Sequence, residues 1–312
     1  MFDKGCKANI MRVKVIINPR SGKGRAREQT GMIEALGHRY GELDIVPTQR
    51  SGHATELAAA AADEGYDLVA AAGGDGTVNE VVNGLVGAGD RASLPLGIIP
   101  IGSGNDLAFG LGIREAPEEA VARIFTGQQR PLDLARVTDD RGQSRVFQNN
   151  LGIGFDAIVV MRTETISRIQ GFLMYLTAVL QTIAFYYDTP YMEMSFDGQA
   201  VNQRALFLYA GVGPRGGGGF LMTPDALWDD NLIDTCLVNP VSRLTMLYML
   251  TRVMKGTHVT SRHVTMRQSN HIIARSSSPM PIYVDGEMFA YPRDNVHEVT
   301  LTSLPAAVQV MV

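Results

Sequence analysis

The chain has 312 residues, 45% hydrophobic and 19% charged, with a formal net charge of −4 and two cysteines, Cys6 and Cys236. That balance excludes a nucleic-acid binder held by general basicity. The cysteine count excludes a disulfide framework and suits a reducing compartment, and the length is ample for two domains or one large one.

No secretory signal is read at the start, where the short apolar run VKVIIN is better taken as a first strand over residues 13–18. It runs into the polar loop NPRSGKG at 18–24, followed by a helix to about residue 36 and a second strand at 43–47. An Ala-rich helix is predicted at 53–64 and a buried strand at 67–72, ending abruptly in Gly73-Gly74. A helix over 77–85 places Val78, Val81, Val82 and Leu85 on one side, and a further buried strand over 96–101 ends at Gly102. Buried runs joined by helices indicate a parallel sheet covered on both faces. Ligands of such sheets sit beyond the carboxyl ends of the strands, so the loops 18–24, 73–77 and 102–106 should face one crevice.

After about Pro131 the texture changes to short alternating segments at 132–137, 146–150, 191–196, 205–211, 232–238, 271–275 and 282–284. Asp197-Gly198 marks a hairpin between two of them. This reads as an antiparallel sheet domain interrupted by helices at about 157–187 and 242–255. Residues 169–187 carry no charge and reach the short end of a membrane span. Gln170, Thr177 and Gln181 share one helical face, so the stretch is read as a buried or lipid-touching amphipathic helix.

The strongest chemical signal is GGDGTVNE at 73–80, where a buried strand opens into a helix. Such a junction offers unpaired N–H groups and the positive helix end to an anion. Asp75 at its mouth could hold a hard cation bridging phosphates, and Thr77 and Asn79 can donate to phosphate oxygens; a capping Asp or Thr accounts for the same local pattern. Arg20 and Lys23 in the first loop could neutralise phosphate, or simply be solvated. Asp106, in PIGSGNDLA at 100–108, is a helix cap or reaches the site. In VDGE at 284–287 a Gly-enforced turn can present one acid to a substrate hydroxyl, and taken alone it is a turn. Gly211 to Gly216 fits G-x-G-x-x-G, but more glycines follow and no helix opens there, so it is set aside as a dinucleotide site.

With NPRSGKG, GGDGTVNEVVNGL, PIGSGNDLA, PLDLARV, PDALWDD and VDGE in that order, the chain resembles the diacylglycerol-kinase catalytic-domain family, which includes sphingosine and ceramide kinases and bacterial soluble lipid kinases. The likeness runs from about Val13 to the end. The GGDGT loop is also similar to that of NAD kinases, which lack the later stretches. The resemblance implies an α/β plus β chain. A doubly wound α/β nucleotide domain of the NAD kinase and phosphofructokinase kind would occupy 1–131, completed by about 293–312. A mostly antiparallel β-sandwich at 132–292 would bind lipid, with ATP in the cleft between. Carried over by position, Asn18, Pro19, Arg20, Ser21 and Gly22, with Gly74, Asp75, Gly76, Thr77, Val78, Asn79 and Glu80, surround the phosphates; Thr48 and Ser103 complete the nucleotide site. The family uses the Asp-Gly-Glu turn for catalysis, which makes Asp285 the general base, with Glu287 the alternative. A structural Mg2+ site is implied at Asp230 with the carbonyls of Leu227 and Leu232, supported by Asp133. Two departures stand out. The usual Asp-Gly reads Asp230-Asn231, although Asn tolerates positive φ, and a lysine usual shortly before Gly171 is missing, with Arg168 as its stand-in.

The implied reaction is transfer of the γ-phosphoryl of Mg-ATP to a lipid primary hydroxyl, driven by positioning and electrostatics. Diacylglycerol, giving phosphatidic acid, is the leading acceptor; phosphatidylglycerol, a sphingoid base, ceramide or an NAD-like metabolite are the alternatives. Asp285→Asn is expected to lower turnover strongly with little change in fold. A cytoplasmic chain peripheral to the membrane is expected. The helix at 171–187 and Phe220-Leu221-Met222 would border an acyl-chain cleft, and the basic stretch 12–27 would make transient contact with anionic lipid. No nucleic-acid partner is expected, and a homodimer is suggested by the resemblance alone.

Overall fold

The computed structural model describes residues 10–87, 94–166, 169 and 171–312. Cys6, Arg168 and Gln170 lie outside the described residues; Cys236 is buried. The N-terminal part runs β1 (Arg12–Ile17), α1 (Arg25–Gly37), β2 (Glu42–Pro47), α2 (His53–Ala60), β3 (Leu68–Gly73), α3 (Asp75–Gly87), β4 (Leu96–Pro100), α4 (Asp106–Gly110) and α5 (Pro117–Thr126). Strands β1 to β4 pair in parallel in the order β2-β1-β3-β4. Side chains alternate across a pleated strand, and here both faces are apolar. Val13, Val15 and Ile17 pack with Ala26 and Ile33 of α1 and Val121 and Ile124 of α5, whereas Ile16, Val69 and Ala71 pack with Ala54 and Ala58 of α2 and Val78, Val81 and Val82 of α3. A strand buried on both faces is what the continuous run LVAAAG dictates.

The remainder is β5 (Gln129–Asp139), β6 (Ser144–Phe147), β7 (Asn150–Gly154), α6 (Phe155–Thr163), α7 (Phe172–Phe185), β8 (Tyr191–Phe196), β9 (Gln199–Arg204), β10 (Phe207–Gly211), β11 (Ile233–Val238), α8 (Arg243–Val253), β12 (Val264–Ser269), β13 (His271–Ser276), β14 (Ile282–Val284), β15 (Glu287–Ala290) and β16 (Glu298–Met311). Six of these strands form an antiparallel sheet in the order β12-β11-β10-β7-β14-β15. The others extend the first sheet, as β4-β16-β13-β8-β9 with β5 and β6 alongside. Between the two sheets, Leu134, Val137, Leu151, Ile153, Leu208 and Ile272 belong to one buried cluster, so the second half is a β-sandwich. The hairpin at Asp197-Gly198 forms as predicted, with both residues at positive φ and Phe196 paired to Gln199.

Two expectations change. The helix read over 157–187 is two helices, α6 and α7, parted before Gly171, whose φ is +66°. The strand read over 146–150 is two, β6 and β7, because the backbone between them turns to bind a carboxylate. In α7, Thr177 and Gln181 are half-buried and Thr182 is buried, while Leu173, Leu180 and Phe185 are exposed. In the basic stretch 12–27, Arg20, Lys23, Arg25 and Arg27 are exposed, and the other two cations are paired. Lys14 is buried against Glu64 at 2.6 Å, and Arg12 is held by Glu42 and Asp44.

Candidate active site

Three strand ends are knitted into one floor. The Gly73 carbonyl accepts Ile101 N and Gly102 N at 2.9 and 3.1 Å. The Gly74 and Gly102 backbones approach so closely that a Cβ on Gly102 would stand 2.4 Å from Gly74 Cα. Gly22, at φ +61°, lies against the Ile101 carbonyl, where a Cβ would meet it at 2.5 Å. The second-strand loop joins through Thr48 N on the Ile17 carbonyl at 2.8 Å. The resulting cleft, about 470 Å³, is walled on one side by Asn18, Pro19, Arg20, Ser21 and Thr48, and on the other by Gly74, Gly76, Thr77 and Glu80; Glu287 closes it from β15. Of the remaining expected nucleotide residues, Gly22 packs behind the loop and Val78 turns into the core. Asn79 reaches the Asp285 turn, and Ser103 is exposed beside Gly171, outside the cleft lining.

Glu80 works through the scaffold. Its carboxylate accepts Gly52 N at 2.9 Å and Ala54 N at 3.0 Å, occupying the N-terminal donors of α2 and fixing the loop that carries Thr48. Glu80→Ala should therefore cost about 1–2 kcal/mol of stability, read by urea denaturation, and raise the KM for nucleotide more than it lowers kcat. An unchanged midpoint would refute the capping role.

A wall of acids stands between this cleft and a second cavity of about 200 Å³, which Asp75, Asp106, Gln148, Tyr175, Tyr283 and Asp285 help to line. Asp75 Oδ1 accepts Asp106 N at 2.6 Å. Burial, and next the negative Asp106, push the Asp75 carboxyl up to about 7. Asp106 is itself neutralised by Arg215, whose Nε donates to Oδ1 at 2.6 Å while Nη2 donates to the Gly104 carbonyl at 2.9 Å; Gly218 N donates to the other oxygen at 3.0 Å. A partly desolvated acid next to a second acid is a setting that a divalent cation relieves, so Asp75 fits a hard cation.

Asp285 and Gly286 are the two residues of the β14–β15 hairpin, both at positive φ. That turn delivers the Asp285 carboxylate to four donors: Asn79 Nδ2 at 2.6 Å and Gln148 N at 2.9 Å on Oδ2, Asn149 N at 3.0 Å and Asn150 N at 2.7 Å on Oδ1. Burial nevertheless prevails and pushes its pKa up to about 6, with the N–H donors pulling the other way. Glu287, two residues on, faces the other side of the wall and is half-exposed, with Arg145 Nη2 on Oε2 at 2.5 Å. Gln148 is fully buried with Oε1 unpartnered, and it lines the second cavity.

A third cavity, of about 90 Å³ and apolar, adjoins the second; Tyr175 and Tyr283 line both. Their hydroxyls donate to Asp156 at 2.9 and 2.7 Å, and burial raises the Asp156 pKa. Val179 and Ile183 of α7, Met246 and Met249 of α8, and Phe220 and Met222 from the loop wall the third cavity.

A family model described as the diacylglycerol kinase catalytic domain matches residues 12–137, and one described as the YegS C-terminal NAD kinase beta sandwich-like domain matches residues 149–312. The chain belongs to the diacylglycerol kinase family. It is 31% identical over 306 residues to a diacylglycerol kinase of Mycobacterium tuberculosis, covering 97% of this chain and 95% of that one. Against a diacylglycerol kinase of Bacillus subtilis the identity is 28% over 283 residues, covering 89% and 90%. A crystal structure from Bacillus anthracis shares the fold, with a TM-score of 0.79 at 24% identity over 100% of this chain and 98% of that one. These likenesses make the chain a lipid kinase, a transferase.

In this lipid kinase the turn at which Mg2+ is expected is braced by backbone N–H groups on two carboxylates. Asp133 accepts Asn231 N at 2.5 Å and Ala306 N at 2.7 Å, and Asp230 Oδ1 accepts Leu232 N at 3.0 Å. Asn231 takes φ +60°, as the departure from Asp-Gly requires. Leu227, Asp230 and Leu232 share this turn. Among the described residues no three His, Cys, Asp or Glu side chains converge as ligands. Sequence reasoning missed Arg145, Gln148, Asp156, Tyr175, Tyr283 and Arg215. Arg215 lay in view, inside the glycine run set aside as a failed dinucleotide motif. The others carry no local signal.

Proposed function

We propose that this lipid kinase transfers the γ-phosphoryl of Mg-ATP to the primary hydroxyl of diacylglycerol, giving phosphatidic acid. The observation that supports it best is the sequence of spaces: a polar cleft floored by glycine loops, a wall of carboxylates, a smaller polar cavity, and an apolar cavity behind it. Phosphates belong in the first, the accepting hydroxyl in the second and an acyl chain in the third. A nucleotide acceptor such as NAD has no use for the third.

The phosphate groups lie against Asn18 to Gly22 and the amides at Gly74 to Thr77. Mg2+, when bound, is held by Asp75 and neutralises phosphate charge. Asp285, facing the second cavity, accepts or orients the hydroxyl proton, and its pKa near 6 leaves it ionised at neutral pH. Glu287 and Arg145 border the phosphate side. Ser103 and the Leu227, Asp230 and Leu232 turn remain part of this proposal as flanking nucleotide and structural metal positions. The place of work is the cytoplasmic membrane face, in phospholipid biosynthesis.

The test is γ-labelled ATP with a lipid panel and mass spectrometry of the product. Label in phosphatidic acid is expected. Transfer to NAD, or to phosphatidylglycerol or ceramide in preference to diacylglycerol, would overturn the acceptor.

A further inference from the structure

Two neighbouring helices carry apolar side chains outward as well as inward. α7 has no charged residue. Its inner face is buried, yet Leu173, Leu180 and Phe185 are 60%, 44% and 77% exposed. α8 packs against α7 and repeats the pattern. Met246 and Met249 point inward, while Leu244, Leu247 and Tyr248 are 79%, 40% and 62% exposed. Their spacing of three and four makes one solvent-facing stripe. Single exposed leucines are ordinary, but an uncharged helix that is apolar on its outer side as well, as α7 is, calls for cover there too, and the adjoining apolar stripe of α8 widens it into a contact surface.

Charge indicates what covers it. Neither helix contains an acidic residue, and the nearest acid in sequence, Asp188, follows the end of α7. Arg243 opens α8, and Arg252 and Lys255 stand at its close. Arg243 lies over the Tyr187 ring at 5.8 Å and Arg252 over the Tyr248 ring at 5.9 Å, so cations and aromatic rings sit together at the edge of the apolar stripe. Apolar centre, aromatic and cationic rim and no carboxylate within either helix match a lipid–water interface with anionic headgroups. Depth is bounded too. The 14 residues of α7 span roughly 21 Å, short of the ~30 Å hydrocarbon core, and no described helix is long and apolar enough to cross a membrane. The helices would therefore lie in the interface plane.

We propose that the outer face of α7 and α8 docks this chain on an anionic bilayer. Because the inner faces of the same two helices wall the apolar cavity, a lipid passes from bilayer to cavity between them without crossing water. This rests on the lipid-acceptor reading, and it places the membrane contact on α7 and α8 instead of on the basic stretch near β1.

The test is flotation with phosphatidylcholine vesicles, with and without phosphatidylglycerol, comparing the full chain with the triple variant Leu244→Ser, Leu247→Ser, Tyr248→Ser. These side chains are outside the core, so the variant should keep its Tm; Leu180→Ser with Phe185→Ser is the second variant. Binding should require phosphatidylglycerol, weaken with salt, and fall about tenfold or more in either variant. Turnover on vesicle-embedded diacylglycerol should fall in parallel, while turnover on a monomeric short-chain diacylglycerol stays within about twofold. Undiminished flotation of both variants would overturn the proposal, as would light scattering showing a dimer that the triple variant dissolves. Flotation needs neither ATP nor transfer, so a chain that docks but phosphorylates no lipid refutes the functional reading and leaves the docking face standing.

Discussion

Asp285→Asn should cut turnover by about 10²-fold or more and lower stability by roughly 2 kcal/mol. The sequence alone implies little change in fold, and the geometry adds a stability cost to that. Four donors converge on this carboxylate from α3 and from the backbone joining β6 to β7. An amide offers one oxygen and one NH2, so whichever way it turns, two donors face another donor. Turnover should be measured well below the melting temperature and stability by urea denaturation, so that the two losses separate. Glu287→Gln is the control. Its side chain is half-exposed with one ion pair, so the stability cost should stay below about 1 kcal/mol. Full activity in Asp285→Asn with loss in Glu287→Gln would transfer the role of base to Glu287. The pH dependence has a definite sign: Asp285 must be ionised to accept a proton, so kcat should rise with pH through about 6.

Asp75→Asn should do the opposite to stability and the same to activity. The Asp75 pKa is raised, to about 7, by burial and by Asp106. The folded chain thus holds a proton at Asp75 that the unfolded chain releases at the ordinary carboxylate pKa. In the nucleotide-free protein, stability is therefore higher at acid pH and is lost as pH climbs from about 4 to about 7. Asparagine keeps an oxygen for Asp106 N and removes the charge. At pH 8 the variant should gain about 1 kcal/mol, or roughly 2–4 °C in Tm, while Mg-dependent turnover falls by about 10²-fold. Calorimetry at pH 5 and pH 8 checks this. A variant less stable than the parent at pH 8 would show that Asp75 is held as a favourable anion.

The phosphate floor was legible because its cause is local. A buried run such as LVAAAG must be a central strand, and the glycines after it permit a backbone approach so close that a Cβ on Gly102 would stand 2.4 Å from Gly74 Cα. The Asp-Gly hairpins at 197 and 285 were legible for the same reason. What escaped depends on distance. Nothing near Tyr175 and Tyr283 announces that they share Asp156, and Arg215 finds Asp106 across more than a hundred residues. β16 was foreseen only through resemblance, because Pro305 and Ala306, the latter at φ +48°, break its alternation and shift its register between Leu304 and Val308.

β16 has a consequence for synthesis. Its last turn of pairing, at Val310 beside Leu96, covers the edge of β4 with residues made about two hundred positions later. At ribosomal speeds of about 5–20 residues per second, that edge waits on the order of 10–40 s for its neighbour. A nascent nucleotide half is therefore an unfinished template for strand addition, and holdase chaperones have a defined target in it until the final strand arrives.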